Sequence, residues 1–123
     1  MAAALSWVRR HGRYRIGIRP LAGWQIVEVR GRFVAGAAEK EFMRVIDELL
    51  GKGERRMVVD LRDALLVDES VASVAQEAYR RVRAAGAEVR FVVPPGRAGG
   101  IYHMAGLEMA IPTFSALSGA IDI

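Results

Sequence analysis

Asp60, Asp63 and Asp68 lie close together in the chain and are the side chains best placed to do chemistry. Asp60 ends the apolar run Met57–Val59, and α/β sheets gather ligands at the carboxyl ends of their strands. Such carboxylates could hold Mg²⁺, or Asp60 could accept a phosphoryl group as receiver domains do. That chemistry also asks for acidic residues after the first strand and a lysine at a later strand end. Glu28 instead lies mid-strand, and no lysine follows Lys52. The aspartates fit better as structural groups, with Asp60 accepting from loop N–H groups and Asp68 capping a helix. No metal is expected. Pro94–Gly100 is a glycine-rich loop after a strand, and a nest of N–H groups there could cradle a phosphate. It lacks the Gly-Lys-Ser/Thr ending of a P-loop and the spacing of a dinucleotide fingerprint, so it reads as a connection. His11 and His103 have no partner at metal-ligand or triad spacing, and no nucleophile–base pair stands out. What remains is Ser70, two residues after the cap Asp68. A hydroxyl there projects at the sheet rim near the positive end of a helix dipole, although first turns also carry serine merely as a capping group.

Composition narrows the setting. The 123 residues suit one domain, and 52% hydrophobic with 26% charged residues is a globular balance. Cysteine is absent, which excludes disulfides, thiolate nucleophiles and Cys-based zinc sites and favours a reducing compartment. No apolar run approaches the ~20 residues of a membrane span, and the start has the wrong order of charge and apolar residues for a secretory signal. A cytoplasmic location is expected. Net charge is +4, with Arg9, Arg10, Arg13, Arg15 and Arg19 crowded near the N-terminus. A nucleic-acid or anionic-membrane patch has this composition. So does a solvated tail running into an edge strand, where charge discourages edge-to-edge pairing. Without an aromatic ladder or recognition helix, the second reading is preferred and no specific nucleic-acid partner is expected. Residues 1–13 are taken as a basic N-terminal segment and 14–123 as the domain.

The elements that would position these groups follow from periodicity. Polar and apolar residues alternate from Tyr14 to Arg19, Leu21–Gly23 is a turn, and Trp24–Phe33 is a second strand, predicting an antiparallel hairpin. Phe42, Val45, Ile46, Leu49 and Leu50 share one helical face, with Gly51 and Gly53 as the stop. Met57–Asp60 reads as a strand buried on both faces. Leu61–Val67 is expected to be a loop tucking in Leu65, Leu66 and Val67. A second helix opens at Asp68 with a buried stripe of Val71, Val74, Ala75, Ala78 and Val82, leaves Gln76, Glu77, Arg80, Arg81 and Arg83 to water, and closes at Gly86. Val89–Val93 is another strand, ended by Pro94-Pro95. Ile101–Leu107, Ile111–Phe114 and Ser115–Ile121 are expected as helix, strand and helix. The fold class is α/β: a single domain with a mixed, mostly parallel sheet and packed helices, in the order β-β-α-β-α-β-α-β-α.

The stretch Met57–Val71 reads Met-Val-Val-Asp-Leu-Arg-Asp-Ala-Leu-Leu-Val-Asp-Glu-Ser-Val. It resembles the signature of the STAS domain family, shared by bacterial anti-sigma factor antagonists and sulfate transporter tails. There a strand ends in Asp-Leu, a loop carries apolar residues, and Asp-Ser-Ser-Gly opens a helix. Asp60-Leu61 corresponds to the first part and Asp68-Glu69-Ser70-Val71 to the second. Val29–Phe33 is similar to the strand ending in Gly-x-Leu. Gly86–Val89 with Pro94 is similar to the family's later strand, and Gly106-Leu107 with Phe114 to its closing residues. The likeness runs from Tyr14 to Ile121.

The resemblance implies partner switching rather than catalysis, with no cofactor. In such antagonists the second serine of the motif is phosphorylated by a serine kinase that is also an anti-sigma factor, and a PP2C-type phosphatase resets it. Ser70 falls on that position, within a partner-binding set of Asp68, Glu69, Ser70 and Val71. Glu69 replaces the first serine and Val71 the glycine, which adds fixed charge and stiffens the turn. The alternatives are a non-switching STAS module in a stress-signalling complex or lipid ABC transporter, and a nucleotide- or lipid-binding domain using the 94–100 loop.

Overall fold

In the computed structural model, which describes residues 6–11, 14–33, 36–66, 70–93 and 111–121, the opening hairpin pairs β2 (Tyr14–Leu21) with β3 (Trp24–Phe33). Leu21 faces Trp24 across a two-residue turn in which Ala22 and Gly23 both have positive φ, 53° and 84°. This primed turn matches the right-handed twist of the strands it joins. Ahead of it, Ser6–His11 forms β1, antiparallel to β2. Part of the basic N-terminal segment is thus a strand.

Helix α1 (Ala37–Gly51) leads into β4 (Arg56–Asp60), which lies parallel to β3. Its end is set by Gly53, φ 87°, while Gly51 is still helical. The N–H of Glu54 reaches back to Leu49 O and that of Gly53 to Leu50 O, satisfying carbonyls the helix leaves open. Helix α2 (Ser70–Ala84) ends the same way: Ala87 donates to Val82 O and Gly86 to Arg83 O.

Residues 61–67 depart from the expected loop. After a break at 61–63 the chain re-enters the sheet as β5 (Ala64–Leu66), parallel to the far half of β3. The reason lies in β3: β4 covers only Gln25–Glu28, which would leave the flank from Gly31 to Phe33 unpaired. An unpaired buried backbone costs as much as a lost hydrogen bond. Val67 lies outside the described residues.

Strand β6 (Glu88–Val92) pairs parallel to β4, and β7 (Thr113–Phe114) parallel to β6, before α3 (Leu117–Ile121). The expected last strand and helix are therefore present in shorter form, while the helix expected at Ile101–Leu107 lies outside the described residues. Among the described residues the sheet has seven strands in the order β1-β2-β3-β4-β6-β7, with β5 against β3. The protein is a single α/β domain built on this mixed sheet.

The sheet has two unlike faces. Under α1 and α2, Ile16, Val27, Val29, Met57, Val59, Val89 and Phe91 meet Phe42, Val45, Ile46, Val74, Ala78 and Val82. On the other face, Trp24, Ile26, Val58 and Val92 pack against Ala120, Leu117 and Ile121 of α3. Trp24 is 1% exposed, its Nε1 has no hydrogen-bond partner among the described residues, and the guanidinium groups of Arg56 and Arg90 lie 4.2 and 4.5 Å from its ring centroid. Arg90 also donates to Ala120 O at 2.8 Å, tying α3 to the sheet. No helix among the described residues is long and apolar enough to cross a membrane.

Two substitutions test this reading in urea unfolding. Phe42→Ala opens a cavity between α1 and the sheet and is expected to cost about 3–5 kcal/mol. Ala22→Asn relieves a left-handed alanine with a residue that tolerates that conformation, so it should gain roughly 0.5–1 kcal/mol.

Candidate functional site

The break between β4 and β5 is built from charge. Glu28 and Asp60 face each other in register on β3 and β4, and are only 6% and 3% exposed. Each carboxylate is met by an arginine two residues on: within β3 because residues i and i+2 of a strand share a face, and at the end of β4 because the chain turns at Arg62. Arg30 donates through Nε to Glu28. Asp60 holds Arg62 more fully: Oδ1 accepts from the backbone N–H at 3.1 Å and from Nε at 3.0 Å, and Oδ2 accepts from Nη2 at 2.8 Å. The hydrogen bond to Asp60 is the main reason the Arg62 guanidinium is held above its ordinary pKa.

These bonds fix the path of the chain. With the Arg62 N–H turned onto Asp60, the Leu61 N–H donates to Val92 O, the Ala64 N–H to Leu61 O, and the Gly31 N–H to Asp63 O. Asp60 therefore acts as an acceptor for a loop N–H, and both of its oxygens are engaged. Among the described residues no group of three His, Cys, Asp or Glu side chains is arranged to hold a metal ion.

From this break the chain leads to α2, whose first residue is Ser70. Asp68 and Glu69 lie outside the described residues, as do Pro94–Gly100 and His103. Val71 is the second residue of the helix, and His11 ends β1. Ser70 stands one turn before Ser73 and Val74, which line a groove of about 520 Å³ between the two helices with Glu39, Lys40, Met43, Arg44, Asp47 and Glu77. Arg81 bridges two residues of that groove, bonding Asp47 of α1 at 2.7 Å and Glu77 of α2 at 2.9 Å. Its sequence position suggested only a water-facing charge, and it in fact joins the helices. Arg62 also escaped notice, although the repeated carboxylate-x-arginine spacing of Glu28/Arg30, Asp60/Arg62 and Glu88/Arg90 was there to be read.

The STAS domain family model matches residues 18–120. Three solved structures share the fold. An anti-sigma factor antagonist from Mycobacterium paratuberculosis superposes with a TM-score of 0.77 at 16% identity, covering 88% of this chain and 91% of its own. An antisigma-factor antagonist STAS domain from Rhodobacter sphaeroides gives 0.56 at 25% identity, covering 68% and 89%. A putative anti-sigma factor antagonist from Thermotoga maritima gives 0.71 at 16% identity, covering 86% and 91%. The sequence matches no curated protein.

Two measurements probe the charged scaffold. Asp60→Ala removes every acceptor of Arg62 and is expected to cost about 2–3 kcal/mol in chemical denaturation. Asp60→Asn, which keeps an oxygen for the backbone N–H, should cost about half as much; equal losses would show that the backbone bond contributes nothing. On the helices, hydrogen bonds from Arg80 and then Arg81 hold the Glu77 carboxyl below the ordinary glutamate range. A depressed folded-state pKa stabilises above the unfolded value and loses that contribution as pH falls through the lowered one. Glu77→Gln should accordingly flatten the acid side of the thermal midpoint against pH.

Proposed function

The chain belongs to the STAS domain family, and from that membership we propose that it is a partner-switching regulator of the anti-sigma factor antagonist kind, docking an anti-sigma serine kinase and released when Ser70 is phosphorylated. The observation that carries this reading is that Ser70 is the opening residue of α2, the helix that follows β5 in the chain. The description of its structural neighbours as anti-sigma factor antagonists supports the same class of partner. The function is binding rather than catalysis. In this reading the protein is a bacterial, cytoplasmic regulator of transcription, and a PP2C-type phosphatase restores the binding form.

The physics of the switch is local. A phosphoryl group at the first position of a helix meets unpaired backbone N–H groups and the positive end of the dipole, so the fold accommodates it. The same group adds about −1.5 to −2 charge beside Asp68 and Glu69. Like charge pressed into a contact surface costs several kcal/mol, and each ~1.4 kcal/mol weakens binding tenfold. Release then needs no refolding.

Val71, where the family motif has glycine, favours a second reading: a STAS module that scaffolds a larger assembly without switching. One experiment separates them. Partners are co-purified from the native host, and a recovered kinase is supplied with ATP. Switching predicts one phosphoryl group on the wild type by mass spectrometry, none on Ser70→Ala, and at least roughly tenfold weaker kinase binding by Ser70→Asp. Equal binding by the wild type and Ser70→Asp sinks the switch and leaves the scaffold.

A further inference from the structure

The sheet face turned away from α1 and α2 carries arginines that docking at α2 does not use. Residues 6–33 contain seven arginines and a single carboxylate, Glu28. Strand pairing brings several of them together. Arg10 stands opposite Arg15 in β1 and β2, and Arg15 opposite Arg30 in β2 and β3. Adjacent strands are ~4.8 Å apart, so three cationic positions form one row across the sheet. Arg19 and Arg32 share the face by the two-residue alternation of strands. Arg15, Arg30 and Arg32 are exposed and Arg19 is half-buried. The alternate positions, Tyr14, Ile16, Val27 and Val29, enter the core on the helical side.

Like charges directly opposite each other destabilise a sheet, so the row calls for a cause. Protection of an open edge accounts for charge on β1 but not on β2 and β3, which are flanked by strands on both sides. Glu28, with Asp63 at 3.7 Å, compensates Arg30. Among the described residues no carboxylate forms an ion pair with Arg19 or Arg32.

The cation chosen narrows the ligand. The chain has 16 arginines and 2 lysines, and the planar guanidinium fork meets phosphate oxygens two at a time. A bilayer surface is gripped by cations along an apolar stripe, whereas Gly17 is the residue that shares this face between Arg15 and Arg19. Trp7 of β1 pairs in register with Gly17 of β2. Binders of single strands combine phosphate-holding cations with aromatic residues on which bases stack. A sheet face offers one gently twisted plane, across which a single strand can lie flat and a rigid duplex touches only along a line. We infer that the β1–β2–β3 face binds single-stranded nucleic acid through its phosphates, without reading base sequence.

The test is fluorescence anisotropy with a labelled oligothymidylate of roughly twelve nucleotides, titrated across salt concentrations. Wild type should bind at low salt, with log K falling linearly against log salt. Each phosphate contact contributes about 0.7 to that slope for a single strand. Arg15→Gln/Arg19→Gln/Arg32→Gln should therefore lower the slope by about 2, while the matching lysine triple keeps it. Arg44→Gln/Arg80→Gln/Arg83→Gln removes equal charge from the helices and should leave the slope unchanged. Trp7→Ala should weaken binding about fivefold or more. Should the sheet triple fail to fold by circular dichroism, Arg19→Gln and Arg32→Gln singly should each lower the slope by about 0.7. The inference is overturned by no binding at low salt, by equal slopes in wild type and the sheet variants, or by equal affinity for a duplex. Binding to vesicles of equal parts phosphatidylglycerol and phosphatidylcholine without binding to the oligonucleotide overturns it too, and points to a membrane. None of these outcomes bears on kinase docking at Ser70.

Discussion

The length of β3 constrains the rest of the structure. Its ten residues outrun β4 and oblige the chain to break at 61–63 and return as β5 to complete the pairing. A break inside a buried sheet exposes backbone groups that must find partners. Asp60 and Arg62 supply them within the span of one turn, and the carbonyl of Asp63 serves the Gly31 N–H. Because the break is bonded on both sides, the direction in which the chain enters β5 is set by a strand-pairing requirement and a charged turn.

The same strand divides the sheet into unlike faces. Its odd-numbered residues Val27 and Val29 lie beneath the two long helices. Its even-numbered residues run from Trp24 and Ile26, covered by α3, to Glu28, buried with its arginine partner. The apolar end carries the packing energy. The charged end, with Arg30 and Arg62 drawn onto Glu28 and Asp60, keeps water and polar groups at the edge of the core where a loop must turn. A buried carboxylate without such a partner would cost several kcal/mol, so these pairs are best understood as conditions for placing a turn at that depth.

Much of this was legible in the sequence because three periods are distinct: two for the hairpin, 3.6 for α1 and α2, and an unbroken run for β4. The order of elements around Met57–Val71 added the family. What escaped has physical reasons. Strand β1 holds Trp7 and Val8 before a run of basic residues, and its pairing comes from the free flank of β2. Strand β5 is three residues long, too short for any period, and its conformation is imposed by β3. Arg62 drew no reading and Arg81 reads as a solvent-facing charge because hydropathy patterns do not distinguish a hydrated arginine from one bonded to a carboxylate across a turn or across two helices. Asp60, read as an acceptor for loop N–H groups, is used in that way because a strand-end carboxylate has nearby donors whatever the tertiary context.

Charge is also segregated through the molecule. The helical side balances its ions: Arg81 serves Asp47 and Glu77, Arg80 serves Glu77, and Arg44 serves Glu41. The strand side of residues 6–33 carries its arginines against one carboxylate. Exposed charges separated by more than about 8–10 Å are largely screened at physiological salt. A layer of strands with its side chains spans about that distance. A phosphoryl group at the head of α2 would therefore act on what touches the helices and would leave the potential over the arginine rows little changed. On a balanced surface one added charge is a large relative change, whereas on a strongly basic one it would be absorbed. The helical side is for that reason the better place for a switch based on charge, and the strand side the better place for a contact that is always on.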